Sequence, residues 1–80
     1  MSGVRKRSVA IRGHRTSFSL EDAFHAELER IAARRGVAVA ALVAEIDEAR
    51  NRATNLSSAL RLFVLDDLRR AAAAPDRQSD

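Results

Sequence analysis

The chain of 80 residues contains no cysteine, tryptophan or tyrosine, and its only aromatic side chains are three phenylalanines. Without cysteine it has no disulfide framework and no thiolate nucleophile or metal ligand. The two histidines, His14 and His25, lack neighbours at metal-ligand spacing, and no serine stands in a nucleophile-elbow sequence. We therefore predict a protein that is not an enzyme and that uses no cofactor and no metal. The lack of cysteine fits a reducing compartment, and we expect a cytoplasmic location.

Long apolar runs are also missing. No segment approaches the roughly 18 apolar residues that a membrane span requires, so no membrane partner is expected. The basic start of the chain is not followed by the apolar stretch of a signal peptide. The three glycines, Gly3, Gly13 and Gly36, are too scattered to form a phosphate-cradling loop. A chain of this length is one domain at most and buries only about 60–65% of its unfolded surface, which favours association of copies.

Acidic residues are absent from the first quarter of the chain. Residues 1–20 contain five basic residues and no acidic one, whereas the remaining nine basic residues share residues 21–80 with all eleven acidic ones. The net charge of +3 therefore conceals a strongly positive N-terminal part. Such one-sided charge is typical of proteins that bind nucleic acid. Phosphate contacts are expected from Arg5, Lys6, Arg7 and Arg12.

The segment 15–20 alternates between bulky and polar side chains. Thr16, Phe18 and Leu20 share one parity, which predicts a half-buried β-strand. No second strand follows, so we expect a mainly α fold with one N-terminal β-strand. A lone strand leaves its backbone groups unpaired. The simplest remedy is an antiparallel ribbon formed with the same strand of a second copy, which predicts a homodimer.

The opposite face of this strand carries Arg15, Ser17 and Ser19. A narrow two-stranded ribbon is a shape that the DNA major groove admits. We predict that Arg15 and Ser17 contact base edges, with Ser19 as a third candidate. Ser19 has a second interpretation, because Ser19-Leu20-Glu21-Asp22 has the form of a helix capping box.

The residues before the strand allow several structures. We treat residues 1–14 as a basic arm, either a disordered tail or a phosphate-contacting segment, with a possible short strand at 8–12. Val9-Ala10-Ile11 can form an intramolecular hairpin with the next strand if the chain turns at Arg12-Gly13-His14. Alternatively, one long strand contains Gly13 as a bulge and covers the edge of a partner subunit. From the ribbon edge, His14 can contact a phosphate.

From Glu21 onward the apolar residues recur at helical spacing. The pattern predicts a first helix from about Glu21 to Arg35, ended by Gly36 in the left-handed conformation. A second helix is predicted from about Ala38 to Arg52. The residues expected in the core of a dimer are Phe18, Leu20, Phe24, Leu42 and Ile46.

The order of elements in Arg15–Arg50, an alternating strand, an amphipathic helix, a glycine and a second helix, resembles the ribbon-helix-helix family of bacterial DNA-binding dimers typified by the methionine and Arc repressors. The resemblance implies a homodimeric, sequence-specific transcription regulator that inserts an antiparallel β-ribbon into the major groove of double-stranded DNA. A compact bacterial branch of the family is similar in the strings KRSVAIRGHRTS, LVAEID and NLSSALRLFVL.

The same resemblance implies a phosphate contact at the start of the second helix. Family members usually carry Ser or Thr there, and this chain has Ala38, so the side-chain cap is missing. The backbone amides of Val37, Ala38 and Val39 remain as the expected phosphate ligands.

A third helix, predicted from about Ser57 to residue 73 or 74, departs from the minimal family pattern. We expect one domain at 15–74, including this helix, and a disordered tail at 75–80. The third helix either packs over the small core or offers residues 56–74 to another protein. The second possibility gives an alternative function, an antitoxin-like or adaptor interaction module. A third hypothesis is binding to anionic surfaces through the basic arm alone, without sequence preference.

Overall fold

A computed structural model describes residues 3–73, which form two β-strands followed by three α-helices. The predicted order of strand and helices is confirmed, but there are two strands rather than one. The predicted tail at 75–80 lies outside the described residues. The elements are β1 (Val4–Ile11), β2 (His14–Glu21), α1 (Asp22–Arg35), α2 (Val39–Ala49) and α3 (Leu56–Ala73).

The two strands pair antiparallel as a hairpin within one chain. Its turn consists of Arg12 (φ 52°) and Gly13 (φ 80°). Two successive positive φ angles are the pattern of a type I′ turn, whose twist matches that of the paired strands. The expectation of a lone strand is therefore wrong, because β1 completes one edge of β2 inside the same chain. Of the structures that the sequence left open, the hairpin is the one found, and Gly13 is a turn residue rather than a bulge.

The segment that we expected to be an arm is strand from Val4 to Ile11. Only the end of β1 carries apolar side chains toward the core: Ile11 is buried and Val9 half-buried. The corresponding earlier positions on that face are Arg5 and Arg7. With arginines at these positions, the first half of β1 does not show the alternation of apolar and polar residues that marks a strand. The sequence therefore predicted an arm.

One core lies between the sheet and the three helices. The side chains of Phe18 and Leu20 are buried from the sheet side, and α3 contributes Leu56, Leu60 and Val64. The third helix thus covers the core of its own chain. Four of the five residues predicted for a dimer core, Phe18, Leu20, Leu42 and Ile46, are buried within the single chain. The fifth, Phe24, is half-buried against the same core.

Charged side chains fasten α3 to α1. The carboxylate of Asp67 accepts hydrogen bonds from Arg30 at 2.8 Å and from Arg34 at 2.7 Å, and its side chain is only 16% exposed. The bonds from Arg34 and Arg30 lower the pKa of Asp67 below its ordinary value. Arg30 also donates to Glu27, one turn earlier on α1. This cluster fixes the position of α3.

The helix ends show which local predictions held. Gly36 has a φ of 72° and ends α1, as predicted. The predicted capping box is wrong, because β2 continues through Glu21, which is the N-cap residue and makes no side-chain cap bond. Ser19 lies inside the strand. Ala38 precedes α2 without a side-chain cap, as predicted.

None of the described helices is long and apolar enough to cross a membrane.

Candidate nucleic-acid interface

The register of the hairpin separates its side chains into two faces. Directly opposed residues of paired strands share a face, and Phe18 and Leu20 identify the inner face because both are buried. The predicted parity of β2 is thus confirmed. The opposite face of the hairpin is exposed to solvent. We call it the outer face, and it is formed by Lys6, Ser8, Ala10, Arg15, Ser17 and Ser19.

The six residues of the outer face include two cationic side chains and no acidic one. Glu21 shares their parity at the end of β2, opposite Val4, and is bound by Arg61 of α3. Lys6 and Arg15 form no salt bridge with any residue between 3 and 73. The Nη1 group of Arg15 donates a hydrogen bond of 3.1 Å to Ser8 Oγ, across the hairpin. This bond orients the guanidinium while leaving most of its five donors available. The sequence did not place Ser8 on this face, because its position opposite Ser17 follows from the hairpin register alone.

Arg5 and Arg7 lie on the inner face and bind Asp22 at the start of α1. Arg5 Nε is 3.2 Å from the carboxylate and the Arg5 side chain is 69% exposed, so that pair contributes little stability. Arg7 is more enclosed, with 21% of its side chain exposed and a buried Nε that has no hydrogen-bond partner among the described residues. The structure therefore does not bring these two arginines to the outer face.

The turn carries two further predicted phosphate ligands. Arg12 reaches α2, where its Nη2 lies 2.8 Å from Glu48 Oε1, and both side chains are 66% exposed. His14 is exposed at the first position of β2 and shares the parity of Phe18. Both residues thus lie at the end of the hairpin, beside the outer face rather than on it.

The start of α2 offers fewer amides than predicted. The amide of Val37 donates to the carbonyl of Ala32 at 3.0 Å, as part of the cap of α1. That amide is already used, so Val37 is withdrawn as a phosphate ligand. Ala38 and Val39 keep the position predicted for them, at the N-terminus of α2.

The edge of β2 that faces away from β1 is only partly covered. In a two-residue hairpin the residues flanking the turn form a hydrogen-bonded pair, and such pairs alternate along the ladder. The backbone groups of Arg15, Ser17 and Ser19 therefore point away from β1. The amide of Ser19 donates to Ser57 Oγ of α3 at 3.0 Å. Within residues 3–73 the sheet has no third strand, and we call Arg15–Ser17 the free edge.

A salt bridge next to this contact holds α3 beside the end of β2. Arg61 Nε donates to Glu21 Oε1 at 2.9 Å, and this hydrogen bond lowers the pKa of Glu21 from its ordinary value. Together with the Ser57 contact, it ties α3 to the point where the strand becomes α1.

A sequence model of a family described as ribbon-helix-helix domain matches residues 4–68 of the chain. The match includes all of β1 and most of α3, so the first strand and the third helix both belong to the matched domain. No curated protein and no solved structure gave a significant match. Domains of this kind bind DNA and are not enzymatic folds. The strand and helix order, the polar outer face and this match agree, and the chain belongs to the ribbon-helix-helix family.

Proposed function

We propose that the protein is a sequence-specific transcription regulator that works as a homodimer and inserts its β-ribbon into the major groove of double-stranded DNA. The observation that carries this proposal is the outer face, where Lys6 and Arg15 have no acidic partner among residues 3–73 and lie beside small polar side chains. A two-stranded ribbon has the width that the major groove accepts. The inner face of the hairpin packs on the core through Phe18 and Leu20.

Different side chains take different roles in this proposal. Arg15 reads a base edge, because a guanidinium can donate two hydrogen bonds to guanine, and the hydroxyls of Ser17 and Ser19 contact neighbouring bases. Lys6 binds a phosphate beside them. Arg5 and Arg12 reach phosphates at the margin, since their exposed ion pairs with carboxylates are weak and easily exchanged. Further marginal phosphate contacts come from His14 and from the amides of Ala38 and Val39. Arg7 is left out, because it is enclosed on the inner face and bound to Asp22.

Because β2 pairs with β1 inside its own chain, an unpaired strand is no longer an argument for the homodimer. It is supported instead by the free edge, which presents unpaired strand backbone next to the outer face. Family members generally bind DNA as dimers, and a second copy doubles the positive charge that the assembly offers to DNA.

The proposal is tested by replacing Arg15 with alanine. The expected loss is about 1–3 kcal/mol of specific binding free energy, with little change on random duplexes, because base-edge contacts distinguish sequences. Fluorescence anisotropy at fixed salt measures both affinities on a selected site and on a random duplex. Arg69→Ala is the matched control, since Arg69 is exposed on α3. Unchanged specific affinity of the Arg15→Ala protein would refute base reading by this residue.

A second function is favoured by the surface of α3. Leu62, Leu65 and Leu68 are between 40% and 59% exposed, and a groove of about 400 Å³ between α2 and α3 is lined by Ile46 and Phe63 among others. Of the three leucines, Leu62 lines this groove, and exposed apolar surface at a groove is typical of protein-interaction sites. An antitoxin-like or adaptor role predicts that Leu62→Ser abolishes capture of a protein partner and leaves DNA affinity intact. Loss of DNA affinity in that variant would contradict this second role.

A further inference from the structure

The arginines of the hairpin differ in the acceptor that holds each of them. Those that bind a carboxylate are Arg5, Arg7 and Arg12. Arg15 instead donates from Nη1 to the neutral hydroxyl of Ser8 at 3.1 Å. A carboxylate neutralises the guanidinium that it binds, whereas a hydroxyl orients the group and leaves its positive charge in place. Within residues 3–73, Arg15 is therefore both oriented and still charged.

The contact follows from the register of the two strands. Arg15 lies directly opposite Ala10, whose methyl group accepts no hydrogen bond. Ser8 is the next residue of β1 on the same face, opposite Ser17. A diagonal neighbour of this kind is within reach of a long side chain. The side chain of Arg15 thus extends from the turn end of β2 to the middle of the outer face, where β1 supplies the group that holds it.

The use of Nη1 decides which edge of the guanidinium stays free. The group is planar, and its Nε–H points in parallel with one N–H of Nη2 on the edge that does not include Nη1. Two parallel donors are the arrangement that makes bidentate contacts. Guanine offers the matching pair of acceptors, O6 and N7, in the major groove. The bond to Ser8 therefore leaves Arg15 the edge that suits guanine.

We infer that Ser8 is a positioning residue for Arg15, and that by accepting a hydrogen bond from Nη1 it directs the Nε–Nη2 edge to guanine. The inference rests on the proposed reading of bases by the outer face. It adds the base that is recognised and gives β1 a part in its recognition. Ser8 acts through Arg15 and not through a DNA contact of its own.

Two isosteric substitutions test this role. Ser8→Thr keeps the hydroxyl, Ser8→Val replaces it with a methyl group of nearly the same shape, and both residues suit an exposed strand. Binding is measured on DNA sites selected from random sequence with the unmodified protein. Preference for guanine over adenine at the position read by Arg15 should be about threefold to tenfold lower for Ser8→Val than for Ser8→Thr, since one hydrogen bond is lost. Affinity for random duplexes should be the same for both variants, because their charge is the same.

The identity of the base is tested with modified nucleotides in the same sites. 7-Deazaguanine lacks the N7 acceptor, whereas hypoxanthine keeps both major-groove acceptors of guanine and lacks the minor-groove amino group. 7-Deazaguanine at the read position should weaken binding of the unmodified protein and leave that of the Arg15→Ala protein unchanged. Hypoxanthine should have little effect on either. Binding that does not depend on N7 would overturn the assignment of guanine.

A measurement without DNA tests the contact itself. NMR relaxation of the Arg15 Nε–H group reports the fast motion of the guanidinium. Its order parameter should fall in Ser8→Val and keep the value of the unmodified protein in Ser8→Thr. Ser17→Ala is the control, because Ser17 lies opposite Ser8 and, among the described residues, forms no hydrogen bond with Arg15. Equal order parameters in the valine and threonine proteins would overturn the inference.

A double-mutant cycle separates positioning from direct contact with DNA. In the Arg15→Ala background, Ser8→Val should cause no further loss of guanine preference. An undiminished loss there would show that Ser8 contacts DNA itself, which overturns the positioning role. If Arg15→Ala loses specificity while the valine and threonine proteins behave alike, only this inference is refuted. If Arg15→Ala retains specificity, the proposed base reading by Arg15 is refuted as well.

Discussion

At the scale of single residues, the hairpin depends on a glycine in a left-handed conformation. Gly13 has a φ of 80°, and a Cβ added there meets no atom within 4 Å, so the cost of a side chain is backbone strain alone. Gly13→Ala should lower the free energy of unfolding by about 1 kcal/mol. Urea denaturation measures this, with Gly3→Ala as control because Gly3 lies outside the strands and lacks a positive φ. Equal effects of the two substitutions would show that the turn is not strained by alanine.

Lys6 permits a second test at this scale, because its ammonium group is a point charge without base-reading geometry. Lys6→Gln should weaken binding to all duplexes alike and reduce the slope of log affinity against log salt by about one, since one phosphate fewer is neutralised. Salt titrations on random DNA measure the slope, and Arg69→Gln serves as the control for removal of one positive charge. An unchanged slope would remove Lys6 from the interface.

At the scale of elements, α3 depends on the acidic side chain of Asp67. Because Arg34 and Arg30 lower its pKa in the folded state, Asp67 stabilises the protein at pH values above its ordinary pKa of 3.8, and this contribution is lost as the pH falls below that value. Asp67→Asn should therefore destabilise the protein at neutral pH, and the difference from the parent should shrink under acid conditions. Denaturation across this range measures the change, with the exposed Asp66→Asn as control. A constant difference would contradict the linkage.

The elements also show how far sequence reasoning reached. The three helices and the two-faced character of β2 follow from local periodicity, which the sequence displays directly. β1 was missed because Arg5 and Arg7 stand where apolar residues would mark the inner face, and the acceptor that compensates them, Asp22, is distant along the chain. The division of the basic residues between the two faces could not be predicted either, because it depends on the pairing register of β1 and β2. A long-range pairing of this kind leaves no local pattern to read.

At the scale of the whole molecule, the third helix is part of the core. Leu60 is fully buried and Leu62, on the opposite side of α3, is 59% exposed. Leu60→Ala should lower the free energy of unfolding by about 2–5 kcal/mol, because it leaves a cavity, whereas Leu62→Ala should change it by no more than about 0.5 kcal/mol. Thermal or urea denaturation of the two variants compares them. Similar effects of both would mean that α3 is not integral to the fold.

The two-residue turn at Arg12 and Gly13 has a consequence for how the protein is made and assembled. Since the ribbon closes and the core is buried within one polypeptide, we expect a newly synthesised copy to fold without meeting another. Folding is then a first-order event and assembly a separate, second-order one. For the proposed homodimer, we expect dilution to separate the copies while each stays folded, so that protein concentration sets DNA occupancy rather than the stability of the fold.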